Sequence, residues 1–186
     1  MATDSTRTKD IRPIQRLITT HTKDGRTAIS DVLPEAAPFK SMPDGADFAL
    51  CYATDNFPVQ TEGDADLKAY KGYTENLPGV AIATGTVLRV VDMEPGHTSP
   101  LHRTISVDYG VVLEGEIELI LDSGEKRALG RGDIVVQRGT NHAWKNIGTG
   151  WARMLYVLQP AESITIGGKV LEDNSKEALS KPAEAH

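Results

Sequence analysis

The feature that most limits the fold of this chain is a series of short apolar runs between Thr86 and Gln159. They read TVLRVVDM, VDYGVVLEG, EIELILD, GDIVVQRG and ARMLYVLQ. β-Branched and aromatic residues at this spacing favour strands, and the polar, glycine-bearing breaks at 122–125 and 148–150 are typical of tight turns. The pattern predicts an all-β protein built as an antiparallel sandwich or small barrel.

The residues before and after this region do not form a second domain. With 186 residues, the chain is long enough for one domain with its own core. The polar ends at 1–10 and 172–186 predict flexible tails. We therefore expect an arm at 11–85 that packs on a barrel formed by 86–171.

The arm should contribute strands and one short helix. The stretch RPIQRLITTHTKDGRTAISDVL predicts two short strands around a KDG turn, and DFALCYAT predicts a third. The proline-bounded segment 34–43 is predicted to be a loop, and 64–76 a helix with Asp64 as its N-cap. Because the arm strands are too apolar to remain solvated edges, we expect them to extend the barrel or a neighbouring subunit, and hence a homodimer.

Composition excludes several classes of function. The formal net charge of −6 provides no basic field for nucleic acid. The single cysteine, Cys51, lies in the apolar run FALCY, so it forms no internal disulfide and is expected to be buried. The N-terminus lacks the apolar core of a signal peptide, and no later run is long enough to span a bilayer. We expect a cytoplasmic protein that binds a small molecule.

Two histidine-bearing segments lie within the strand region. In the first, His102, Thr104 and Asp108 share one face if the strand is unbroken, since side chains alternate between faces. In the second, His142 and Trp144 share a face. Two histidines and a carboxylate can therefore converge in the interior of the barrel.

The spacing of these residues resembles the two sequence motifs of the cupins, and specifically of the small single-domain cupins. The first motif has a glycine, five residues, His-x-His, three or four residues, a glutamate, six residues and a glycine. Its spacing is matched by Gly96, His102, Asp108 and Gly115. The resemblance implies a cupin-type β-barrel, or jelly roll, with a cavity.

The second cupin motif is matched over its final part. That part has a glycine, two residues, a histidine, three residues and an asparagine, which correspond to Gly139, His142 and Asn146, while Gln137 replaces the usual proline. The chain, including RVVDMEPG and VVQRGTNHAW, further resembles cupins of fungal secondary-metabolite pathways, some of which are oxidoreductases.

The metal-binding set that the resemblance implies is incomplete. Thr104 stands where the family has its second metal histidine, and Asp108 replaces the glutamate. A hydroxyl is a poor ligand for a divalent transition metal. The remaining His102, Asp108 and His142 have the composition of a two-histidine, one-carboxylate site, so the protein binds either no cofactor or a divalent metal (iron, manganese or zinc). His97 is a further candidate ligand, although its turn predicts exposure.

Without a metal, the same residues suit acid/base catalysis. His102 or His142 would act as general base or acid, Asp108 would fix the tautomer of the nearer histidine, and Thr104 would bind substrate. The reaction would be an isomerisation, dehydration, cyclisation or decarboxylation of a polyketide-like carbonyl or phenolic compound. This favours a lyase or isomerase. The alternatives are an iron-dependent oxidoreductase or oxygenase and a non-catalytic small-molecule-binding cupin.

The walls of the pocket are predicted to be aromatic. Tyr52, Trp144 and Tyr156 are the candidates, and core packing explains them equally well. Arg103 and Arg138 are expected to face solvent or to lie in turns, rather than to bind substrate.

Overall fold

The computed structural model describes residues 9–181, which form thirteen β-strands and two α-helices. The strands are β1 (Thr19–His21), β2 (Thr27–Ile29), β3 (Phe39–Ser41), β4 (Asp47–Ala53), β5 (Val87–Met93), β6 (Ser106–Glu114), β7 (Ile117–Leu121), β8 (Lys126–Leu129), β9 (Ile134–Arg138), β10 (His142–Asn146), β11 (Ala152–Pro160), β12 (Thr165–Ile166) and β13 (Lys169–Val170). The helices are α1 (Ala65–Glu75), preceded by a 3-10 turn at Glu62–Asp64, and α2 (Ser175–Ala178).

Two antiparallel sheets enclose the main core. The larger has the order β3-β4-β5-β11-β6-β9 and the smaller the order β10-β7-β8. Met154 and Val112 of the larger sheet pack in one hydrophobic cluster with Ile117 and Trp144 of the smaller. The hairpins β1-β2 and β12-β13 lie outside these sheets. The predicted all-β fold of antiparallel strands is confirmed.

Alternation of side chains explains the central strand of the larger sheet. Along β11, Met154, Tyr156 and Leu158 are buried, whereas Leu155 and Val157 between them are partly exposed. Burying one apolar face of a strand is the main source of its stability, at about 1.5–3 kcal/mol for each large side chain. The neighbours of β11 are β5 and β6, so this face forms the middle of the barrel wall.

The tight reversal between β6 and β7 requires the glycine of the first motif. Gly115 has a φ of 80°, and a Cβ atom there would lie 2.8 Å from the Cβ of Ala152. A side chain at this position would be strained by its backbone and would collide with β11. The glycine therefore brings the two sheets close together at this end of the barrel.

The arm largely matches the sequence expectation, with one correction. The KDG hairpin and the strand DFALCYAT are present as β1-β2 and β4. The prediction of a loop across 34–43 is wrong, because β3 lies within it and pairs with β4 from Ser41 to Phe39. The two prolines that flank β3 do not prevent this pairing. They lack a backbone N–H, but none is needed at the edge of a sheet. Since β4 lies between β3 and β5, its apolar residues are covered by the chain itself.

The predicted helix is present as α1, but its N-terminus differs from the expectation. Asp64 precedes the helix with a φ of 57°, and its side chain makes no capping hydrogen bond. The helix is held to the sheet by Tyr70, which is fully buried and donates a hydrogen bond from its hydroxyl to the carbonyl oxygen of Leu50 at 2.8 Å.

The described part of the C-terminal segment, 172–181, differs from the expected flexible tail. It contains α2, and the side-chain oxygen of Asn174 accepts a hydrogen bond from the backbone N–H of Arg103 at 2.6 Å. Leu179 is only 5% exposed. A single leucine in a polar sequence thus anchors the segment on the barrel.

The expected tails otherwise lie mostly outside the described residues. Residues 1–8 and 182–186 are not described. At the other end of the predicted N-terminal tail, Asp10 accepts a hydrogen bond from the backbone N–H of Trp151 at 3.1 Å. None of the helices within residues 9–181 has both the length and the apolar character needed to cross a membrane.

Candidate active site

A cavity between the two sheets contains most of the residues identified from the sequence. The volume of the cavity is about 50 Å³, or about 530 Å³ when its open mouth is included. Its lining includes His102, Thr104, Asp108, His142, Trp144 and Tyr156. The structure therefore brings both motifs to one site, although the cavity as it stands has room for only a few waters or a small ligand.

The two histidines of this cavity are paired through their backbones. The N–H of His102 donates to the carbonyl oxygen of His142 at 2.9 Å, and the reverse hydrogen bond is 3.0 Å long. Their ring centroids are 4.5 Å apart. The condition of an unbroken strand from His102 is not met, because β6 begins at Ser106 and His102 forms an isolated bridge. That bridge, rather than a continuous strand, aligns the two rings.

Backbone carbonyls orient both imidazoles. The Nδ1 atom of His102 lies 2.9 Å from the carbonyl oxygen of Pro100, and that of His142 lies 2.9 Å from the carbonyl oxygen of Thr140. A carbonyl can only accept, so Nδ1 carries the proton and Nε2 keeps its lone pair. The expected role of Asp108 in fixing a tautomer is therefore wrong.

Asp108 instead belongs to a network of hydroxyl groups. Its Oδ1 lies 2.5 Å from the hydroxyl of Ser106, and its Oδ2 accepts from Thr104 at 3.3 Å. The two hydroxyl oxygens are themselves 2.8 Å apart. Burial raises the pKa of Asp108 to about 6, although these hydrogen bonds and Arg89 oppose the shift. Thr104 thus contacts Asp108, and no substrate is needed to satisfy its hydroxyl.

Burial has the opposite effect on the histidines, because it disfavours their charged form. It lowers the pKa of His102, and it lowers that of His142 to about 3, with the charge of a protonated His102 adding to the shift. Both imidazoles are therefore neutral near pH 7. When one of the two histidines is protonated, its charge disfavours protonation of the other.

The aromatic residues divide between the cavity and the arm. Trp144 and Tyr156 line the cavity with ring centroids 5.8 Å apart, and Trp144 meets His142 edge-on at 5.4 Å. Tyr52 lies elsewhere, since its hydroxyl donates to Asp66 of α1 at 2.6 Å. The register between β4 and β5 shifts next to Tyr52, which redirects its side chain toward the helix.

Two residues of the cavity, Asp44 and Arg89, were not identified from the sequence as site residues, whereas His97 was a candidate ligand. His97, for which exposure was expected, is 7% exposed, and its Nε2 lies 3.8 Å from Oδ2 of Asp44. Burial lowers the pKa of His97 and raises that of Asp44. Arg89 of β5 also lines the cavity. Of Asp44 and Arg89, only Arg89 had a sequence signal, because it is a charged residue inside the apolar run TVLRVV.

The arrangement fits part of the metal site that the cupin resemblance implies. Among the described residues, the Nε2 atoms of His102 and His142 have no hydrogen-bond partner, and a hydrogen bond from Nδ1 to a carbonyl is typical of a metal-ligating histidine. Within residues 9–181, however, no three histidine, cysteine, aspartate or glutamate side chains are grouped closely enough to hold one ion. Asp108 is directed to its hydroxyl partners, so the expected three-ligand set is not assembled.

Comparison with known proteins agrees with this architecture. The family model described as a cupin domain matches residues 89–158. The chain is 45% identical over 163 residues to the phomopsin biosynthesis cluster protein C' of Diaporthe leptostromiformis, covering 87% of this chain and 86% of that one. It is 47% identical over 120 residues to the cupin-domain-containing oxidoreductase virC of Hypocrea virens, covering 63% and 60% of the two chains.

A similar solved structure is the cupin domain of Schizosaccharomyces pombe Cnp3. It has a TM-score of 0.49 and 14% identity, covering 80% of this chain and 89% of that one. The sequence relatives decide the classification, because they match the chain through both motifs and most of the arm. The chain belongs to the cupin family, and its relatives include proteins of fungal biosynthesis clusters.

Proposed function

We propose that this cupin is an enzyme that isomerises, dehydrates, cyclises or decarboxylates a small carbonyl or phenolic compound by acid/base catalysis. One observation carries the proposal: two imidazoles with fixed tautomers and free Nε2 atoms share a buried cavity with a protonatable carboxyl group. Such a set can remove a proton at one atom of a substrate and deliver one at another.

His102 is assigned as the general base. The pKa of His142 is lowered further by the charge of a protonated His102, so the pair takes up one proton and His102 takes it more readily. The Nε2 of His142 then accepts a hydrogen bond from a substrate hydroxyl. The carbonyl of Pro100 supports the imidazolium that forms on His102, because it accepts its Nδ1–H.

Asp108 is assigned as the general acid. With a pKa of about 6, its carboxyl group retains a proton in a fraction of molecules near neutral pH. The hydroxyls of Ser106 and Thr104 hold its two oxygens in place. The apolar walls from Trp144, Tyr156 and Leu158 limit water around these groups, which strengthens their electrostatic effect on the substrate.

The second candidate function is a metal-dependent oxidoreductase. It is favoured by the free Nε2 atoms of His102 and His142 and by the oxidoreductase names of relatives such as virC. A bound iron would supply redox chemistry, and these two histidines would hold it. No step is assigned through a metal, since the three-ligand set is not assembled.

The proposal is tested with protein treated with a chelator and incubated in D₂O with a panel of β-keto acids, β-diketones and phenols. Mass spectrometry would detect deuterium uptake, loss of water or loss of carbon dioxide. We expect turnover that survives the chelator. Turnover that appears only after iron is restored would favour the oxidoreductase, and binding without turnover would indicate a non-catalytic cupin.

The two histidines supply the matched variants. His102→Ala and His142→Ala should each lower kcat about a hundredfold or more with little loss of fold, the size usual for a general base. The double variant should lose far less than the product of the two effects, because residues that act as a unit are not additive. Multiplicative losses, or full activity after either change, would contradict a shared site. His21→Ala, an exposed histidine of β1, is the control.

A further inference from the structure

We propose that Arg89 forms an anion subsite in the cavity, which binds a carboxylate, enolate or phenolate oxygen of the substrate. Arg89 extends from β5 and lines the cavity together with His102, Asp108 and His142. The inference rests on the proposed function in one respect only, namely that the substrate binds in this cavity.

The guanidinium of Arg89 is buried without its normal complement of partners. Arg89 is 8% exposed, and Nη2 donates one hydrogen bond, to the carbonyl oxygen of Gly79 at 3.0 Å. Its Nε is fully buried and has no partner. Within residues 9–181, no carboxylate lies within ion-pair distance of it. A buried cation in this state is costly unless something else pairs with it.

A second buried arginine shows how the same fold satisfies a structural guanidinium. Arg153 lies on the neighbouring strand β11 and binds both oxygens of Asp92, through Nε at 2.6 Å and Nη2 at 2.7 Å. Its Nη1 donates to the carbonyl oxygen of Arg12 at 2.6 Å. Arg153 is thus complete within the chain, whereas the Nε of Arg89 has no partner among the described residues, and the charge of Asp108 acts on Arg89 only from beyond ion-pair distance.

The surroundings of Arg89 suit a planar anion. Its guanidinium carbon lies 5.3 Å from the ring centroid of Phe48, which packs against the guanidinium. Burial lowers the pKa of Arg89 to about 10, so the group remains charged at neutral pH. A guanidinium matches the geometry of a carboxylate better than an ammonium does, because its donors form a planar fork. An enolate formed by proton transfer to His102 would be stabilised by the same charge.

The test compares benzoate with its neutral isostere benzamide by isothermal titration calorimetry at neutral pH. We expect wild type to bind benzoate about tenfold to a hundredfold more tightly than benzamide, the range for a hydrogen bond to a charged group. Arg89→Met should abolish this preference and leave benzamide affinity within about threefold. Arg89→Lys should retain part of it, because the charge remains.

The control is Arg127→Met, which removes an exposed arginine of β8 and should leave both affinities unchanged. Thermal melting checks that each variant is folded. Equal affinities in wild type, no benzoate binding at millimolar concentration, or a preference that survives Arg89→Met would overturn the anion subsite. The proposed catalysis is judged separately by the histidine variants, since calorimetry detects binding without turnover.

Discussion

Backbone carbonyls orient the imidazoles of His102 and His142. The orientation of the two rings therefore does not depend on which side chains surround them. Thr104 can therefore be changed with less risk to the imidazoles, because its hydroxyl contacts Ser106 and Asp108 only. The resemblance to the first cupin motif implies that Thr104 stands where other cupins have a metal-binding histidine. The same position offers a direct test of whether a metal serves the reaction.

Thr104→His should raise the affinity for zinc or iron(II) by about a hundredfold, since a third imidazole adds a strong ligand beside two free Nε2 atoms. Metal binding is measured by calorimetry on chelator-treated protein. Under acid/base catalysis, turnover should not improve when the variant is loaded with metal. An increase in turnover on loading would instead support the oxidoreductase.

Asp108 makes a specific contribution to the pH dependence of stability. Its pKa is about 6 in the folded protein against 3.8 in the reference state, so the folded state binds the proton more tightly. Stability is therefore lost as the pH rises from the unfolded pKa through the folded pKa. Asp108→Asn removes this loss. From about pH 4 to pH 7, the free energy of unfolding of the variant should therefore rise by about 2 kcal/mol relative to that of wild type. Urea unfolding at both pH values measures the difference, and a constant difference would contradict the raised pKa.

The residue that follows α2 forms part of the cavity wall. The helix has four residues, but the leucine that follows it, Leu179, lines the cavity and is nearly buried. Because the cavity without its mouth holds only a few waters, a larger substrate can enter only if Leu179 or its neighbours move. We therefore expect the cavity to open by movement of α2 and the segment around it.

Leu179→Ala should open the cavity and cost about 2 kcal/mol of stability, the low end for a buried leucine. The readout is acrylamide quenching of Trp144 in a Trp151→Phe background, where we expect faster quenching. Ile166→Ala, an exposed residue of β12, is the control and should change neither quantity. Unchanged quenching in the Leu179 variant would show that access does not depend on α2.

The elements that sequence reasoning found and missed have a common explanation. Strands such as β5 and β11 were predictable because burial imposes alternation on their own residues. By contrast, β3 and α2 depend on partners that lie elsewhere in the chain. The same holds within the site: His102, Asp108 and His142 lie in recognisable motifs, whereas Asp44 enters the cavity from a loop that carries no periodic pattern.

If the protein is a homodimer, as predicted, the strands of the arm do not form its interface. The arm strand β4 is covered by its own chain, so its apolar residues demand no second subunit. An exposed apolar face lies instead on the edge strand β9 and its neighbour β6, where Ile134 is 66% and Val136 51% exposed and Tyr109 pairs with Val136. Edge strands with such side chains are prone to association.

We expect wild type to be a dimer by multi-angle light scattering at micromolar concentration. Changing Ile134 and Val136 together to lysine should produce a monomer, since two charges would be buried in the interface. Ile166→Lys, at a similarly exposed position on β12, is the control. A monomeric wild type, or a dimer that survives the double change, would exclude this face.

The bridge between His102 and His142 also has a consequence for folding kinetics. It joins two segments that are far apart in sequence, and the hairpin of β7 and β8 lies between them in the chain. Local hairpins form early, whereas distant pairings wait until most of the chain is in place. During refolding, the far-ultraviolet strand signal should therefore return before the environment of Trp144 becomes native, and catalytic competence should return last.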